Sequence, residues 1–315
     1  MTVLLLETLH PDAESALAAY GGLLRAAEPN RPPEDTSSVE AILTRGRGRI
    51  TEELMERCPR LRVVARPGTG LDNVDLVAAD RLRIPVIYAP GANADTVAEH
   101  ALALILDLVR GISRSLASVR AGRWEERGRY AGQEIRGLTL GIVGFGAVGR
   151  RTAALASAFG MRVLVAARKG SAVPPPYEST PLDDLLATAD VVSLHLPFTP
   201  ETNGLLDARR FAAMKPGAFL VNTARGQLVD RTALAEALAR GRLGGFAADV
   251  LDVEPPASDD PLLTDDRVVL TPHVASLTGA TYRRMCVDTA QNVLAVLTGG
   301  EPAPSSRYRN STLMQ

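Results

Sequence analysis

Three residues in the last third of the sequence, Arg225, Glu254 and His273, carry side chains that together suit the reduction of a keto acid. Arg225 and His273 each follow an apolar run typical of a buried strand, and open α/β sheets bind ligands beyond the carboxyl ends of their strands. A guanidinium there can hold a carboxylate and a carbonyl oxygen together, which fixes the carbon that receives hydride. The imidazole titrates near neutral pH and can protonate the developing alkoxide, while Glu254 would orient the ring and favour its protonated form.

Each of these residues by itself also has an ordinary structural interpretation. A single histidine is more often a surface or core residue than a catalytic acid, and a glutamate before proline, such as Glu254, is usually a turn residue. His273 differs from His10, His100 and His195 because a cation and a carboxylate accompany it near predicted strand ends. The sequence therefore predicts Arg225 for orientation, His273 for the proton and Glu254 for tuning.

A glycine-rich segment lies between a predicted strand at 138–144 and a predicted helix at 148–159, and it reads Gly144-Phe145-Gly146-Ala147-Val148-Gly149. The first glycine permits a tight turn, the second lets the backbone approach a pyrophosphate, and the third allows the helix to pack closely on the strand. The N-terminus of that helix would face the phosphates. The segment is a dinucleotide-binding fingerprint, weak alone but placed here in the context that it requires.

The next predicted strand, 162–167, runs into Ala166-Ala167-Arg168-Lys169. An NAD site usually has an acidic residue there, which accepts hydrogen bonds from the ribose hydroxyls. Without that carboxylate a 2′-phosphate meets no repulsion, Arg168 can bind it in bidentate fashion, and Lys169 adds a point charge. The sequence thus predicts that NADP(H) is preferred; in the alternative interpretation, with NAD(H), both residues are only solvated parts of a loop.

The alternation of predicted strands and helices indicates an α/β protein with two Rossmann-like doubly wound domains and a cleft between them. A chain of 315 residues is too long for one compact core. We predict a discontinuous substrate-binding domain at 1–93 and 285–315 and a dinucleotide-binding domain at 94–284. A long helix at 94–112 would lead out of the first domain, and the active site would lie in the cleft.

The composition argues against several other classes of protein. A net charge of −1 gives no basic footprint for nucleic acid. Two cysteines, Cys58 and Cys286, in a chain of this size predict reduced thiols and a cytoplasmic location. The apolar N-terminus is interrupted by Glu7, which predicts a first strand and not a signal peptide, and charges bracket the apolar run 101–108 too closely for a membrane span. We predict no metal site.

These motifs resemble those of a known family, the D-2-hydroxyacid dehydrogenases, and particularly its 3-phosphoglycerate dehydrogenase branch. The matching segments span nearly the whole chain. They are Arg66-Pro-Gly-Thr-Gly-Leu-Asp-Asn-Val-Asp75, Val97-Ala-Glu-His100, the fingerprint at Gly144, Leu196-Pro197, Asn222-Thr-Ala-Arg-Gly226, Asp249 to Pro256, and Thr271-Pro-His-Val-Ala275.

The resemblance implies roles for many residues. Arg225, Glu254 and His273 would form the catalytic set, and the backbone N–H groups of the loop Gly68-Thr69-Gly70 would bind the substrate carboxylate in an anion nest. Asp249 would meet the nicotinamide amide. The cofactor contacts that we expect are Gly144, Gly146, Ala147, Val148, Gly149, Arg168, Lys169, Leu196, Pro197, Thr202, Thr223, Ala224 and Asp249. Members of the family are usually homodimers joined through the cofactor domains, so a dimer is expected here.

The sequence departs from the family pattern in two places. The usual acidic residue after the second Rossmann strand is replaced at Ala167, which favours NADP(H) over NAD(H). The chain ends soon after its final predicted helix, so the regulatory C-terminal extension of many phosphoglycerate dehydrogenases, and feedback control by serine through it, are not expected.

The size of the substrate is open at this point. Arg45 and Arg66 match positions where phosphoglycerate dehydrogenases place cations and would recognise a second anionic group, although Arg45 equally suits a solvated basic loop. The main hypothesis is a D-2-hydroxyacid dehydrogenase that acts mostly as a 2-keto acid reductase on a small substrate. The alternatives are 3-phosphoglycerate dehydrogenase proper, a relative that acts on a non-carbon acid such as phosphite, and a dinucleotide-sensing binding protein comparable to transcriptional corepressors of this fold.

Overall fold

The computed structural model describes residues 2–168 and 170–309, which form two compact units. The first unit extends to Asn93 and resumes at Leu277, and the second extends from Ala94 to Ser276. The chain passes from the first unit to the second between residues 93 and 94, which is the boundary placed from the sequence. It returns to the first unit between residues 276 and 277, and not between 284 and 285 as predicted. The reason is that the final helix is one continuous element, which begins at Gly279, and its apolar residues belong to the core of the first unit.

The first unit contains a five-stranded parallel sheet in the order β2-β1-β3-β4-β5. Its strands are β1 (Thr2–Leu5), β2 (Gly22–Arg25), β3 (Val39–Leu43), β4 (Val63–Arg66) and β5 (Val86–Tyr88), and its first three helices are α1 (Pro11–Tyr20), α2 (Glu52–Glu56) and α3 (Leu76–Arg81). The hydropathy pattern does not predict β2, because this short strand lies at the sheet edge with both of its end residues exposed.

The second unit contains a seven-stranded parallel sheet in the order β12-β11-β10-β9-β6-β7-β8. The strands are β6 (Thr139–Val143), β7 (Arg162–Ala166), β8 (Glu178–Ser179), β9 (Val191–Leu194), β10 (Ala218–Asn222), β11 (Leu243–Ala248) and β12 (Val268–Leu270). The helices are α4 (Ala94–Arg110), α5 (Ile112–Arg120), α6 (Ala147–Ala158), α7 (Leu182–Thr188), α8 (Ala208–Ala213) and α9 (Arg231–Ala239). The strand order reverses between β6 and β9, which is the switch point where doubly wound sheets bind nucleotides.

The last helix, α10 (Gly279–Leu297), packs in the first unit against the face of the sheet that β1, β3 and β4 share. A second apolar cluster, with α2 and α3, covers the other face of that sheet. Two further clusters cover the two faces of the seven-stranded sheet. Burial on both faces explains why the central strands are continuous apolar runs and not alternating patterns.

The long helix predicted at 94–112 is confirmed as α4, which begins at Ala94 and ends slightly earlier than predicted, at Arg110. Gly111 has a φ of 61°, which is a left-handed conformation that ends α4 at Arg110 before α5 begins at Ile112. Throughout residues 2–168 and 170–309, no helix has both the length and the apolar character that a membrane span requires.

The carboxyl ends of six strands of the second unit are in register. Neighbouring pairs in the sheet align the residues Ala166, Val143, Leu194, Asn222, Ala248 and Leu270 at one level. The loops that follow these strands therefore leave the same edge of the sheet, so side chains far apart in the sequence are brought together there.

Candidate active site

Three neighbouring loops at this edge carry the predicted catalytic residues. Arg225 follows β10, Glu254 follows β11 and His273 follows β12. Because Asn222 pairs with Ala248 and Ala248 pairs with Leu270, the three loops start at the same height.

Asn222 shapes the loop that presents Arg225. Its side chain is buried, its Oδ1 accepts a hydrogen bond from the Ala224 N–H at 3.0 Å, and its Nδ2 donates to the Arg225 carbonyl at 2.8 Å. The next residue, Gly226, lies so close to the backbone of Leu251 that a Cβ atom there would overlap it. The Arg225 loop thus packs directly on the loop that leads to Glu254.

His273 and Glu254 form an ion pair. His273 Nδ1 lies 2.8 Å from Glu254 Oε2, and the other carboxylate oxygen accepts the Leu251 N–H at 2.9 Å. Partial burial acts to raise the pKa of Glu254, but the hydrogen bonds from His273 and Leu251 outweigh it and the pKa is lowered. An ionised carboxylate requires Nδ1 to be the donor, which leaves Nε2 as the ring atom that can exchange a proton.

The ion pair with Glu254 also raises the pKa of His273. The hydrogen bond to Glu254 is the largest cause, partial burial opposes it, and the charges of Glu254 and Asp249 add to the increase. The positive charge of Arg225 acts in the opposite direction on His273 and also lowers the pKa of Glu254. The charges of Glu254, Asp249 and Arg225 therefore all act on His273.

Asp249 holds the His273 loop in place. It is 2% exposed, its Oδ1 accepts from the Thr271 hydroxyl at 2.5 Å and the Val274 N–H at 2.9 Å, and its Oδ2 accepts from the Ala275 N–H at 2.8 Å. These contacts surround His273, whose φ of 55° is unusual for a residue other than glycine. The contact of Asp249 with the nicotinamide amide stays a prediction, while its support of this loop is observed.

The other histidines have structural partners. His100 Nε2 lies 2.9 Å from the Thr271 hydroxyl, so it joins the Asp249 network from α4. His195 Nε2 lies 2.9 Å from the Ser193 hydroxyl, and burial lowers its pKa to about 3, which keeps the ring neutral. His10 caps α1 by accepting the Asp12 N–H.

The fingerprint glycines lie at the turn between β6 and α6. Gly144 has a φ of 96°, and a Cβ atom on it would overlap the His195 carbonyl, at the switch point of the sheet. A Cβ atom on Gly149 would overlap the Gly144 carbonyl, so only glycine permits this contact between helix and strand. A Cβ atom on Gly146 would meet nothing within 4 Å. The backbone there faces open space, and no side chain caps the N-terminal turn of α6 at Ala147 and Val148.

Besides the open backbone at Gly146, Thr223 also indicates that the carboxyl edge of the seven-stranded sheet accommodates a ligand. Its hydroxyl is buried and has no hydrogen-bond partner among the residues that the structure describes. An unsatisfied buried hydroxyl is unfavourable by about 1–3 kcal/mol, which a polar group of a ligand would relieve. With the open backbone at Gly146 and the uncapped helix α6, the residues present fit a dinucleotide.

The remaining predicted cofactor residues lie at the same edge. Ala224 and Leu196 pack against the core of the second unit, and Pro197 follows Leu196 beyond β9. The Thr202 hydroxyl accepts the Thr199 N–H at 2.7 Å and lies 3.0 Å from the Pro197 carbonyl, so it braces this loop. Their contacts with a cofactor stay predictions.

Arg168 is exposed just beyond the end of β7, beside the fingerprint strand. Lys169 lies outside the described residues. Arg150, in the first turn of α6, is a further cation nearby: its guanidinium lies 4.5 Å from the centre of the Phe145 ring, and its Nη2 is 3.5 Å from the Ala172 carbonyl. The motif gives no reason to single out Arg150, since this residue follows the fingerprint, which ends at Gly149.

The predicted substrate residues lie in the first unit, at the carboxyl edge of its sheet. Arg45 Nη1 donates to the Tyr282 hydroxyl at 3.0 Å, and its guanidinium lies over the Tyr282 ring at 5.2 Å. Arg66 donates from Nε to the Arg45 carbonyl at 2.8 Å and from Nη1 to the Gly70 carbonyl at 2.7 Å. Arg66 therefore braces two loops, which its sequence position did not reveal.

The loop 68–70 has the features of an anion site. Among the described residues, none accepts a hydrogen bond from the backbone N–H groups of Gly68, Thr69 or Gly70. The Gly68 carbonyl in turn accepts the Ala89 N–H at 2.9 Å, which holds the loop from the side of β5. Unused N–H groups on a held loop suit a carboxylate ligand. Within the same described part of the chain, no cluster of His, Cys, Asp and Glu is arranged to hold a metal ion.

The fold and the site define a class of protein: a two-unit α/β chain whose dinucleotide-type turn shares a sheet edge with an Arg, Glu and His group. Residues 102–275 match the model of the NAD-binding domain of the D-isomer specific 2-hydroxyacid dehydrogenases. The chain belongs to this family.

Known proteins of similar sequence and structure agree with this assignment. D-3-phosphoglycerate dehydrogenase of Mycobacterium leprae is 39% identical over 297 residues, which cover 91% of this chain and 56% of that protein. Hydroxypyruvate reductase of Thermotoga maritima is 36% identical over 82% of this chain and 85% of its own length. The crystal structure of a Thermus thermophilus protein superposes with a TM-score of 0.89, at 40% identity over 96% of this chain and 98% of its own. The chain thus spans just over half the length of the first relative.

Proposed function

We propose that this chain is an NADP(H)-linked D-2-hydroxyacid dehydrogenase that acts mainly as a 2-keto acid reductase. The observation that carries the proposal is the 2.8 Å ion pair between His273 and Glu254, held beside Arg225 at the nucleotide-binding edge of the sheet. The intact set of Arg225, Glu254 and His273 argues for an enzyme over a chain that only senses a dinucleotide.

The roles of the residues follow from their chemistry. When bound, the reduced nicotinamide supplies the hydride. Arg225 binds the carboxylate and the carbonyl oxygen of the keto acid, which orients the reacting carbon and polarises the carbonyl. His273 donates the proton on Nε2 to the developing alkoxide, and Glu254 stabilises the imidazolium before the transfer. In the oxidative direction the neutral ring accepts the same proton.

The preference for NADP(H) rests on charge at the end of β7. Arg168 is exposed there, Ala167 takes the place of a carboxylate, and the guanidinium of Arg150 lies on the adjacent first turn of α6. A 2′-phosphate would find cations at this point and no carboxylate at position 167. NADPH is kept reduced in cells, so this preference favours reduction over the oxidation of 3-phosphoglycerate.

Steady-state assays test the proposal. Glyoxylate, hydroxypyruvate and phosphohydroxypyruvate are each offered with NADPH and with NADH. We expect turnover with at least one of these acids and a lower KM for NADPH. A lower KM for NADH than for NADPH would show that the enzyme uses NAD(H). The highest kcat/KM with phosphohydroxypyruvate would favour 3-phosphoglycerate dehydrogenase. Tight NADPH binding without turnover of any keto acid would instead support a dinucleotide-sensing binding protein.

We also infer a homodimer joined through the cofactor unit. Helix α5 has no buried residue, and Ile112, Leu116 and Val119 are 55%, 47% and 51% exposed on one face of it. Trp124, 62% exposed, follows directly. Exposed apolar faces of this kind mark protein interfaces, and a second copy agrees with the dimers typical of the family.

Light scattering tests the dimer against the chain mass of 33.4 kDa. We expect twice that mass for the wild type and the monomer mass for Leu116→Glu. The control is Leu263→Glu, at a residue that is 47% exposed outside α5. A wild type that has the monomer mass at micromolar concentration would contradict the inference.

We also propose a cytoplasmic location. Cys58 and Cys286 are free and buried, in agreement with this location.

A further inference from the structure

The carboxylate of Glu7 lies inside the loop that follows β3. The Glu7 side chain is 4% exposed, and its Oε2 lies 3.1 Å from the Thr44 hydroxyl oxygen. The same oxygen accepts four consecutive backbone N–H groups at 2.7–3.0 Å, those of Arg45, Gly46, Arg47 and Gly48. Successive N–H groups that converge on one point form an anion nest, and here the anion belongs to the chain itself.

The loop 44–48 therefore takes its shape from Glu7. Burial acts to raise the pKa of Glu7, but the nest hydrogen bonds outweigh it and lower the pKa to about 2, so the carboxylate is ionised at neutral pH. Thr44 closes the loop by donating to the Gly48 carbonyl at 2.7 Å, and Asn73 donates to the same carbonyl. With the carboxylate replaced by a neutral group, four converging amides would lose a charged acceptor.

Arg66 connects this loop to the loop 68–70. Its Nε bonds the Arg45 carbonyl and its Nη1 bonds the Gly70 carbonyl. The guanidinium lies against Gly68, where a Cβ atom would be only 2.5 Å from Nη1. The position of the Arg45 carbonyl thus affects the position of the loop whose unused N–H groups suit a carboxylate.

We propose that Glu7 is a positioning residue for substrate binding: through the nest 44–48 and Arg66 it holds the loop 68–70 in the form that binds the carboxylate of a 2-keto acid. The inference rests on the proposed function for the identity of the ligand. Glu7 acts through other residues and does not itself touch the substrate. The simpler alternative is that Glu7 stabilises the first unit and does no more.

Hydrogen exchange and kinetics of Glu7→Gln distinguish the two. The proposal predicts faster amide exchange at 44–48 and also at 66–70, a KM for the keto acid about tenfold higher or more, and a kcat within about threefold of the wild type. NADPH binding, measured by fluorescence, should be unchanged. The matched control is Glu14→Gln in the same unit, whose carboxylate bonds the Leu9 N–H and Arg25 and should leave all of these quantities unchanged.

Faster exchange confined to 44–48 together with an unchanged KM would overturn the proposal and leave a purely structural role. Glu7→Asp keeps the charge but shortens the side chain, so it is the second variant if Glu7→Gln does not fold. Its KM for the keto acid should exceed that of the wild type, and a wild-type KM with a lower unfolding temperature would again indicate stability alone. Absence of keto-acid turnover in the wild type is a separate failure, that of the proposed function, because the exchange at 66–70 is read without any substrate.

Discussion

Nδ1 of His273 lies 2.8 Å from Oε2 of Glu254, although 18 residues and the whole of β12 separate the two in the chain. The pair fixes the tautomer of the ring and leaves Nε2 for proton exchange. Several expected outcomes depend on this arrangement and on the groups that hold it.

Replacement of His273 by glutamine should remove the proton donor and leave the loop largely intact. The rate of keto-acid reduction should fall about a hundredfold or more, the usual contribution of general acid catalysis. The kcat of His273→Gln, measured with saturating NADPH, checks this, and the dissociation constant for NADPH serves as the control. Nearly wild-type turnover would show that another group supplies the proton.

Glu254→Gln should change the pH dependence of reduction. Glu254 raises the pKa of His273, and reduction requires the protonated ring, so activity in the wild type declines as the pH rises through that pKa. Without the carboxylate the pKa falls, and the decline moves to lower pH. Profiles of kcat/KM against pH for both proteins provide the measurement; superimposable profiles would contradict the assigned role of Glu254.

Asp249→Asn should disturb the His273 loop. Asparagine keeps only one oxygen, so its NH2 group would face the N–H of either Val274 or Ala275, and an unsatisfied buried donor is unfavourable by about 1–3 kcal/mol. We expect a lower unfolding temperature and a kcat reduced about tenfold or more, since misplaced catalytic groups lose rate steeply. The control is Asp266→Asn, which removes the same charge at an exposed residue and should change neither the unfolding temperature nor kcat.

Arg168→Ala tests the cofactor preference. Loss of a bidentate contact with a 2′-phosphate should raise the KM for NADPH about tenfold or more and leave the KM for NADH nearly unchanged. Arg240→Ala, at an exposed arginine of the same unit, should affect neither cofactor. Equal effects of Arg168→Ala on both cofactors would mean that Arg168 is a bystander.

Glu7 should contribute to stability in a pH-dependent manner. Its pKa is lowered from 4.5 to about 2, so the contribution is fully present above pH 4.5 and is lost as the pH falls toward 2. The shift corresponds to about 3 kcal/mol at neutral pH. Urea unfolding of the wild type and of Glu7→Gln should differ clearly at pH 7 and converge near pH 2, whereas a constant difference from pH 7 to pH 2 would contradict the assignment.

Much of this protein can be inferred without coordinates. The extents of β5, β9, β10 and β12 agree with the apolar runs at 86–88, 191–194, 218–222 and 268–270. For the central strands β9 and β10 the reason is burial on both faces, which leaves a strong local signal. The fingerprint and the residue types of Arg225, Glu254 and His273 are also local information. They indicate the family and the chemistry before any contact is known.

Tertiary structure decided what depends on contacts between distant segments. The register of β10, β11 and β12 sets their loops at one height, and Gly226 packs one loop on the next. Arg66 has the residue type of a substrate cation, but its guanidinium braces two loops; Glu7 has the type of a surface carboxylate, but it fills a nest 37 to 41 positions away. The physical reason is that the sequence gives the chemical type of each side chain but not its partners. The partners depend on the packing of sheets and loops, which brings remote backbone groups within hydrogen-bonding distance.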